Sequence, residues 1–111
     1  EKDGLIVKLD EYIFRYVCEF QRELMEKGQE LIPISVNLSR TSLHHSDIVE
    51  RYMKIVEENG IPFSCVPVEL TETATLNNVM IRDFTEKLVN VGFALHMDDF
   101  WFRIFFTDHI E

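Results

Sequence analysis

With 111 residues, 46% of them hydrophobic, the chain has the length of one domain and can bury well over half of its unfolded surface. Twenty acids against 11 basic residues give a formal net charge of −9, so the whole-molecule field repels phosphate and excludes steering toward bare nucleic acid or an acidic membrane. An anionic ligand would need a cation or backbone amides to hold it. Cys18 and Cys65 lack metal-ligand spacing and read as reduced thiols. No stretch reads as a signal peptide, a membrane-spanning run or a low-complexity segment, and the expected compartment is the cytoplasm, or the cytoplasmic part of a larger protein.

From Leu5 the apolar positions Leu9, Tyr12, Ile13, Tyr16, Val17, Phe20 and Leu24 recur at steps of three and four, and Gly28 closes the run. This spacing predicts an amphipathic helix. The segment LIPISVNLS (31–39) is short, apolar and β-branched, and predicts a strand. In SDIVERYMKIVEENG (46–60) Asp47 and Glu50 can form a capping box and Gly60 can end the helix in a left-handed turn. VPVELTET (66–73) repeats the strand signal, NNVMIRDFTEKLVNVG (77–92) the helix with an Asn start and a Gly stop, and FALHMDD (93–99) predicts a third strand. Three strands separated by two helices with short connections predict an α/β fold, βαβαβ after the first helix, with a parallel sheet.

In parallel α/β sheets ligands gather beyond the carboxyl ends of the strands, and Asn37, Glu69 and Asp98 each lie at such an end. Because strand side chains alternate, Ser35, Asn37, Pro67, Glu69, His96 and Asp98 share one parity, and Ile34, Val36, Val68, Leu70, Leu95 and Met97 the other. One face then carries the polar tips and the other the large apolar residues. A doubly wound sheet needs both faces apolar, so the asymmetry favours a barrel.

Asn37, Glu69, Asp98 and Asp99 form an all-oxygen set of the kind that hard cations such as Mg²⁺, Mn²⁺ or Ca²⁺ prefer. Adjacent acids would let one carboxylate bridge two metals in a phosphate-cleaving site, although Asp99 also reads as the cap of a following helix. His96 reads as an inward-facing barrel residue satisfied by a neighbour, more than as a ligand or proton carrier. His44 and His45 read as turn residues. Glu72 is either an acid that orients the ligands or anchors the loop, or the start of a solvated turn.

ISVNLSRTSL, VELTET and MDDF, in this order and separated by helices of these lengths, resemble the EAL domain, the bacterial phosphodiesterase that linearises cyclic di-GMP. EKDGLIVKLDEYIFRYVCEF is similar to that family's helix after its first catalytic strand. The resemblance covers about residues 1–100 and implies a partial TIM-type (β/α) barrel that binds two divalent ions, Mg²⁺ or Mn²⁺. It implies Asn37, Glu69 and Asp98 as ligands of the first ion, Asp98 and Asp99 as the pair serving the second, and a water activated between the ions that attacks phosphorus in line.

Against that pattern, the Glu-Ala-Leu signature would lie before residue 1, and the Gly-rich loop, further acids, lysine and glutamine that follow Asp-Asp-Phe in the family do not appear after Phe100. Residues 101–111 instead form an aromatic tail. TGG TTC CGG ATA TTC TTC encodes Trp101 to Phe106, and removing its first T restores Gly-Ser-Gly-Tyr-Ser-Ser, close to the family's loop, so a frameshift is expected to have ended the domain. The resulting expectations are a fragment of a cyclic di-GMP phosphodiesterase, inactive by itself, that binds metal weakly and forms homo-oligomers through its open strand edges. The aromatic tail is expected to cover exposed apolar surface or form a new interface. The alternative is a non-catalytic EAL-like module that binds cyclic di-GMP or a protein partner, or only oligomerises.

Overall fold

The structure, a computed structural model, describes residues 2–43, 45, 47–70 and 78–97. The elements are α1 (Lys2–Glu26), β1 (Val36–Leu38), a one-turn α2 (Arg40–Leu43), α3 (Ile48–Asn59), a 3-10 turn (Phe63–Cys65), β2 (Val68–Leu70), α4 (Asn78–Val91) and β3 (Leu95–Met97). The three strands are parallel in the order β1-β2-β3. This is the predicted α-β-α-β-α-β order, with shorter strands than the sequence segments and with α2 and the 3-10 turn added. Glu72, the Asp98-Asp99 pair and the aromatic tail of residues 101–111 lie outside the described residues.

One face of the sheet makes the core. Val36, Leu38, Val68 and Leu70 are buried and cluster with Phe14 and Cys18 of α1, with Ile48, Tyr52, Ile55 and Val56 of α3, and with Phe84 and Leu88 of α4. Parallel strands joined through helices produce this layering, because each crossover returns its helix to the same face. An aromatic chain runs through it: Phe14 stacks on Tyr52 with centroids 4.2 Å apart, and Phe93 lies 6.1 Å from Phe14 and edge-on to Phe63 at 4.9 Å.

The helix stops behave as their glycines predict. Gly60 adopts φ 66° at the end of α3, and its N–H reaches the carbonyls of Val56 and Glu57, a conformation that a side chain would strain. The start of α3 differs from expectation. Asp47 precedes the helix without a side-chain capping bond, so the capping box does not form. Its carboxylate lies instead 3.9 Å from Arg51, and Glu50 pairs with Lys87 of α4 at 3.2 Å.

The larger correction concerns α1. Its buried stripe is Val7, Phe14, Cys18 and Gln21, whereas Leu5, Leu9, Tyr12, Ile13, Tyr16 and Phe20 are exposed. Apolar residues occupy two faces of this helix, and tertiary partners choose between them. Phe14 has the Tyr52 ring to stack on, and Gln21 donates from Nε2 to the carbonyls of Ile32 at 2.7 Å and Cys65 at 2.9 Å. A glutamine thereby enters the core as the tie between α1 and the approaches to β1 and β2. Cys18 and Cys65 are both free and buried. Burial, with a smaller contribution from Cys65, pushes the Cys18 thiol up to about 12, and burial also raises that of Cys65.

Candidate functional site

The face of the sheet away from the helices carries the candidate ligands. In β1 and β2 the sequence alternates buried, exposed, buried, so that Asn37 and Glu69 are exposed between the buried pairs Val36/Leu38 and Val68/Leu70. The parallel register sets Asn37 opposite Glu69, and Glu69 opposite His96. Neighbouring strands lie about 4.8 Å apart, and residues in register present side chains to the same face. The predicted parity is thus realised for Ser35, Asn37 and Glu69, which are exposed, while Pro67 of the same set is buried.

A carboxamide oxygen and a carboxylate on adjacent strand positions suit a hard divalent cation, which takes oxygen donors. Among the described residues neither Asn37 nor Glu69 has a hydrogen-bond or ion-pair partner that would compete. Asp98 and Asp99 follow the end of β3 by one and two residues and, with Glu72, fall outside the described residues, as does His44. Among the described residues no group of three or more His, Cys, Asp and Glu side chains comes together, and of the candidate ligands only Asn37 and Glu69 lie among them. His45 is exposed in the turn before α3, where its N–H donates to the Ser42 carbonyl at 3.1 Å and its own carbonyl accepts from Ile48.

A polar knot behind the site was not anticipated. Asp10 of α1 accepts from the Ser39 backbone N–H at 3.0 Å and from the Ser42 hydroxyl at 2.7 Å, and the Ser42 N–H donates to Ser39 Oγ at 3.2 Å. Ser39 immediately follows β1, two residues from Asn37, and caps the single turn of α2. These bonds tie the carboxyl end of β1 to α1 and so position Asn37. The Ser-Arg-Thr-Ser stretch held the local half of this signal, a serine followed three residues later by a second hydroxyl. Asp10 lies 29 residues from Ser39, and no local pattern connects them.

Nearby, Glu11 accepts from Arg51 of α3 at 2.5 Å and from Arg15 at 3.3 Å. This joins α1 to α3 at the surface, beside a hollow of about 340 Å³ lined by Lys8, Glu11, Tyr12, Arg15 and Arg51. Among the described residues no helix is long and apolar enough to cross a membrane.

Comparison with known proteins bears on this geometry. The family model for the EAL domain matches residues 1–103. The chain is 29% identical over 101 residues to the cyclic di-GMP phosphodiesterase NbdA of Pseudomonas aeruginosa, covering 90% of this chain and 13% of that protein. It is 27% identical over 101 residues to the cyclic di-GMP phosphodiesterase PdeR of Escherichia coli, covering 90% of this chain and 15% of that protein. The crystal structure of the EAL domain of Mycobacterium smegmatis DcpA superposes with a TM-score of 0.75 at 26% identity, over 84% of this chain and 42% of that one. Klebsiella pneumoniae BlrP1, in a complex with manganese and cyclic di-GMP, superposes with a TM-score of 0.68 at 25% identity, over 84% of this chain and 24% of that one. The chain therefore spans under half of the solved EAL domain and about one seventh of these two phosphodiesterases.

Proposed function

Because the chain belongs to the EAL domain family, a family of cyclic di-GMP phosphodiesterases, we propose that its exposed sheet face is one wall of a metal-dependent site for cyclic di-GMP hydrolysis. The observation that carries the reading is the register of Asn37 with Glu69 on the uncovered face of a parallel sheet. Asp98 and Asp99, next along the third strand segment, complete the proposed donor set, and Glu72 is assigned to orienting or anchoring it. A divalent ion, Mg²⁺ or Mn²⁺, supplies polarisation of a phosphate oxygen and acidification of a water when bound. Asn37 and Glu69 hold and orient it, and Asp10 with Ser39 and Ser42 fixes the strand end that carries Asn37. The BlrP1 complex with manganese and cyclic di-GMP supports this ion class and ligand.

These 111 residues, taken by themselves, are proposed to bind the ion weakly and not to turn over the nucleotide. The support is structural: among the described residues the sheet has three strands with β1 and β3 outermost, so the candidate ligands there line a wall where the barrel reading requires an enclosure. Open parallel edges also favour strand addition by other copies. Residues 101–111 are proposed to be a frameshifted tail, which the coding DNA tests directly.

The test is calorimetric titration with Mn²⁺ and with cyclic di-GMP, run beside a phosphodiesterase assay on the same sample. Weak Mn²⁺ binding that disappears in Glu69→Gln, without turnover, is expected. Turnover abolished by Glu69→Gln would show that the chain assembles a complete site. Nucleotide binding without metal dependence would favour the non-catalytic module, and Mn²⁺ binding unchanged in Glu69→Gln would remove the sheet face as the site.

A further inference from the structure

Among the described residues, Gln21 Oε1, Tyr52 Oη and Asn59 Oδ1 are buried side-chain atoms without a hydrogen-bond partner. Gln21 and Asn59 each use the other end of the amide, Gln21 on the carbonyls of Ile32 and Cys65 and Asn59 on that of Ile55. Tyr52 is different, because the hydroxyl is its side chain's only polar group. The residue is 1% exposed, and a buried hydroxyl left unmatched is destabilising enough that phenylalanine would serve the core better.

The ring is placed by its stacking on Phe14, with centroids 4.2 Å apart and 23° between the planes. Side chains on a helix lean toward its amino end, so the Tyr52 ring sits over the turn of α1 that precedes Phe14. Asp10 lies one turn back from Phe14 on the same face. Electrostatics agree: after burial, the carboxylates of Asp10 and then Glu11 do most to raise the Tyr52 phenol. Glu11 has no oxygen to spare, since Oε1 accepts from Arg51 and Oε2 from Arg15. On Asp10 the bonds from the Ser39 N–H and the Ser42 hydroxyl both go to Oδ2, and among the described residues Oδ1 accepts none. Asp10 is half-buried and its Oδ1 is not among the buried unmatched atoms, so water reaches it.

We propose that a bound water bridges the Tyr52 hydroxyl to Asp10 Oδ1, making Tyr52 a positioning residue for the end of β1 that carries Asn37. Two polar groups farther apart than one hydrogen bond, neither with another partner, give a single water a place to bond both. The hydroxyl donates to the water and the water donates to the carboxylate. With Oδ1 held from α3 and Oδ2 holding Ser39 and Ser42, the carboxylate is fixed against rotation, and Ser39 follows Asn37 by two residues. The consequence for metal binding rests on the proposed function, whereas the bridge itself does not.

Tyr52→Phe tests it, because the variant keeps the stacked ring and deletes only the hydroxyl. In amide hydrogen exchange followed by NMR, the Ser39 N–H, whose acceptor is Asp10 Oδ2, is expected to exchange about threefold faster or more in the variant. The Gly60 N–H, bonded to Val56 and Glu57 at the far end of α3, is expected to be unchanged, whereas a general loosening would move both. The urea midpoint is expected to fall in Tyr52→Phe but to hold or rise when the same substitution is made in Asp10→Ala, where the hydroxyl has no carboxylate to serve. A midpoint that rises in both backgrounds overturns the bridge, since an unmatched hydroxyl is better removed, and so does unaltered Ser39 exchange. Titration with Mn²⁺ separates the bridge from the proposed function. Binding weakened about twofold or more in Tyr52→Phe, less than a direct partner of a ligand would cost, supports the positioning role, and faster Ser39 exchange with unaltered Mn²⁺ affinity overturns it. An unaltered chain that binds no Mn²⁺ while Ser39 responds to Tyr52→Phe overturns the proposed function and upholds the bridge.

Discussion

The two faces of the three-stranded sheet differ in what they are made of and in what they do. On one, Val36, Leu38, Val68 and Leu70 are closed over by α1, α3 and α4; on the other, residues one position away, Asn37 and Glu69, meet solvent. Stability is concentrated on the first face and the candidate chemistry on the second. Because strand side chains alternate, the two functions are interleaved along the chain yet separated in space by the thickness of one backbone. Substitutions at adjacent positions should therefore have unlike consequences, and that contrast can be pressed from its strongest case to its weakest.

Leu38→Ala is the strongest case. Leu38 is 1% exposed, and truncating a leucine in such a core costs about 2–5 kcal/mol through lost transfer energy and the cavity left behind. Urea denaturation followed by circular dichroism is expected to show that loss, whereas Asn37→Ala, one residue earlier, leaves the midpoint nearly unchanged. Equal losses at both positions would mean that the outer face is also packed.

Asp10→Ala comes next and probes the seam between the faces. It removes the acceptor of the Ser39 N–H and the Ser42 hydroxyl, and leaving these part-buried donors unmatched costs about 1 kcal/mol, the low end of the range for buried ones. The expected outcome is that urea midpoint shift together with weaker Mn²⁺ binding, because Asn37 is carried on the strand end that the knot holds. A stability loss with unaltered metal binding would separate the knot from the site.

The order of helices and strands, the alternation at Val36–Leu38 and Val68–Leu70 and the stops at Gly60 and Gly92 were all legible in the sequence, because each depends on a few neighbouring residues. The buried side of α1 was not. Leu5, Leu9, Tyr12 and Tyr16 make as regular a stripe as Val7, Phe14 and Cys18, and only the presence of Tyr52 and the Ile32 and Cys65 carbonyls decides which is covered. The capping box failed for a related reason: Glu50 has Lys87 of α4 as its partner, and no local rule anticipates a tertiary ion pair. At the candidate site, the exposure of Asn37 and Glu69 on one face of the sheet was legible through parity. Asp10 was not, because its role exists only once α1 lies against the end of β1.

The helix-covered face should also make stability depend on pH, and Cys18 gives the sign. Burial raises its thiol from an ordinary 9.0 to about 12, so the folded protein keeps it neutral where the unfolded chain ionises. Its contribution is complete below pH 9 and is lost as the pH rises toward 12. Between pH 9 and 10 the loss from this one thiol is about 1 kcal/mol. Cys65 acts in the same direction, and Tyr52, whose phenol burial also raises, adds to the fall above pH 10. Urea midpoints at pH 8, 9 and 10 are expected to decline in the unaltered chain and to decline less steeply in Cys18→Val. Parallel declines would assign the pH dependence elsewhere.

Glu69→Gln should have the smallest effect on stability and the greatest diagnostic value. The substitution keeps the side chain's shape and removes its charge at an exposed position flanked by Val68 and Leu70, whose packing lies on the other face. Surface changes of this kind stay within about 0.5 kcal/mol, and in a chain of net charge −9 losing one negative charge relieves repulsion when no cation is bound. An unaltered or slightly raised urea midpoint without metal is therefore expected. With Mn²⁺ present the order should reverse, since an ion that binds only the folded chain stabilises it in proportion to the logarithm of its occupancy, and the variant forgoes that gain. A midpoint that falls in the variant without metal would mean that Glu69 serves the fold, and the division between the two faces of the sheet would fail at the position where it matters most.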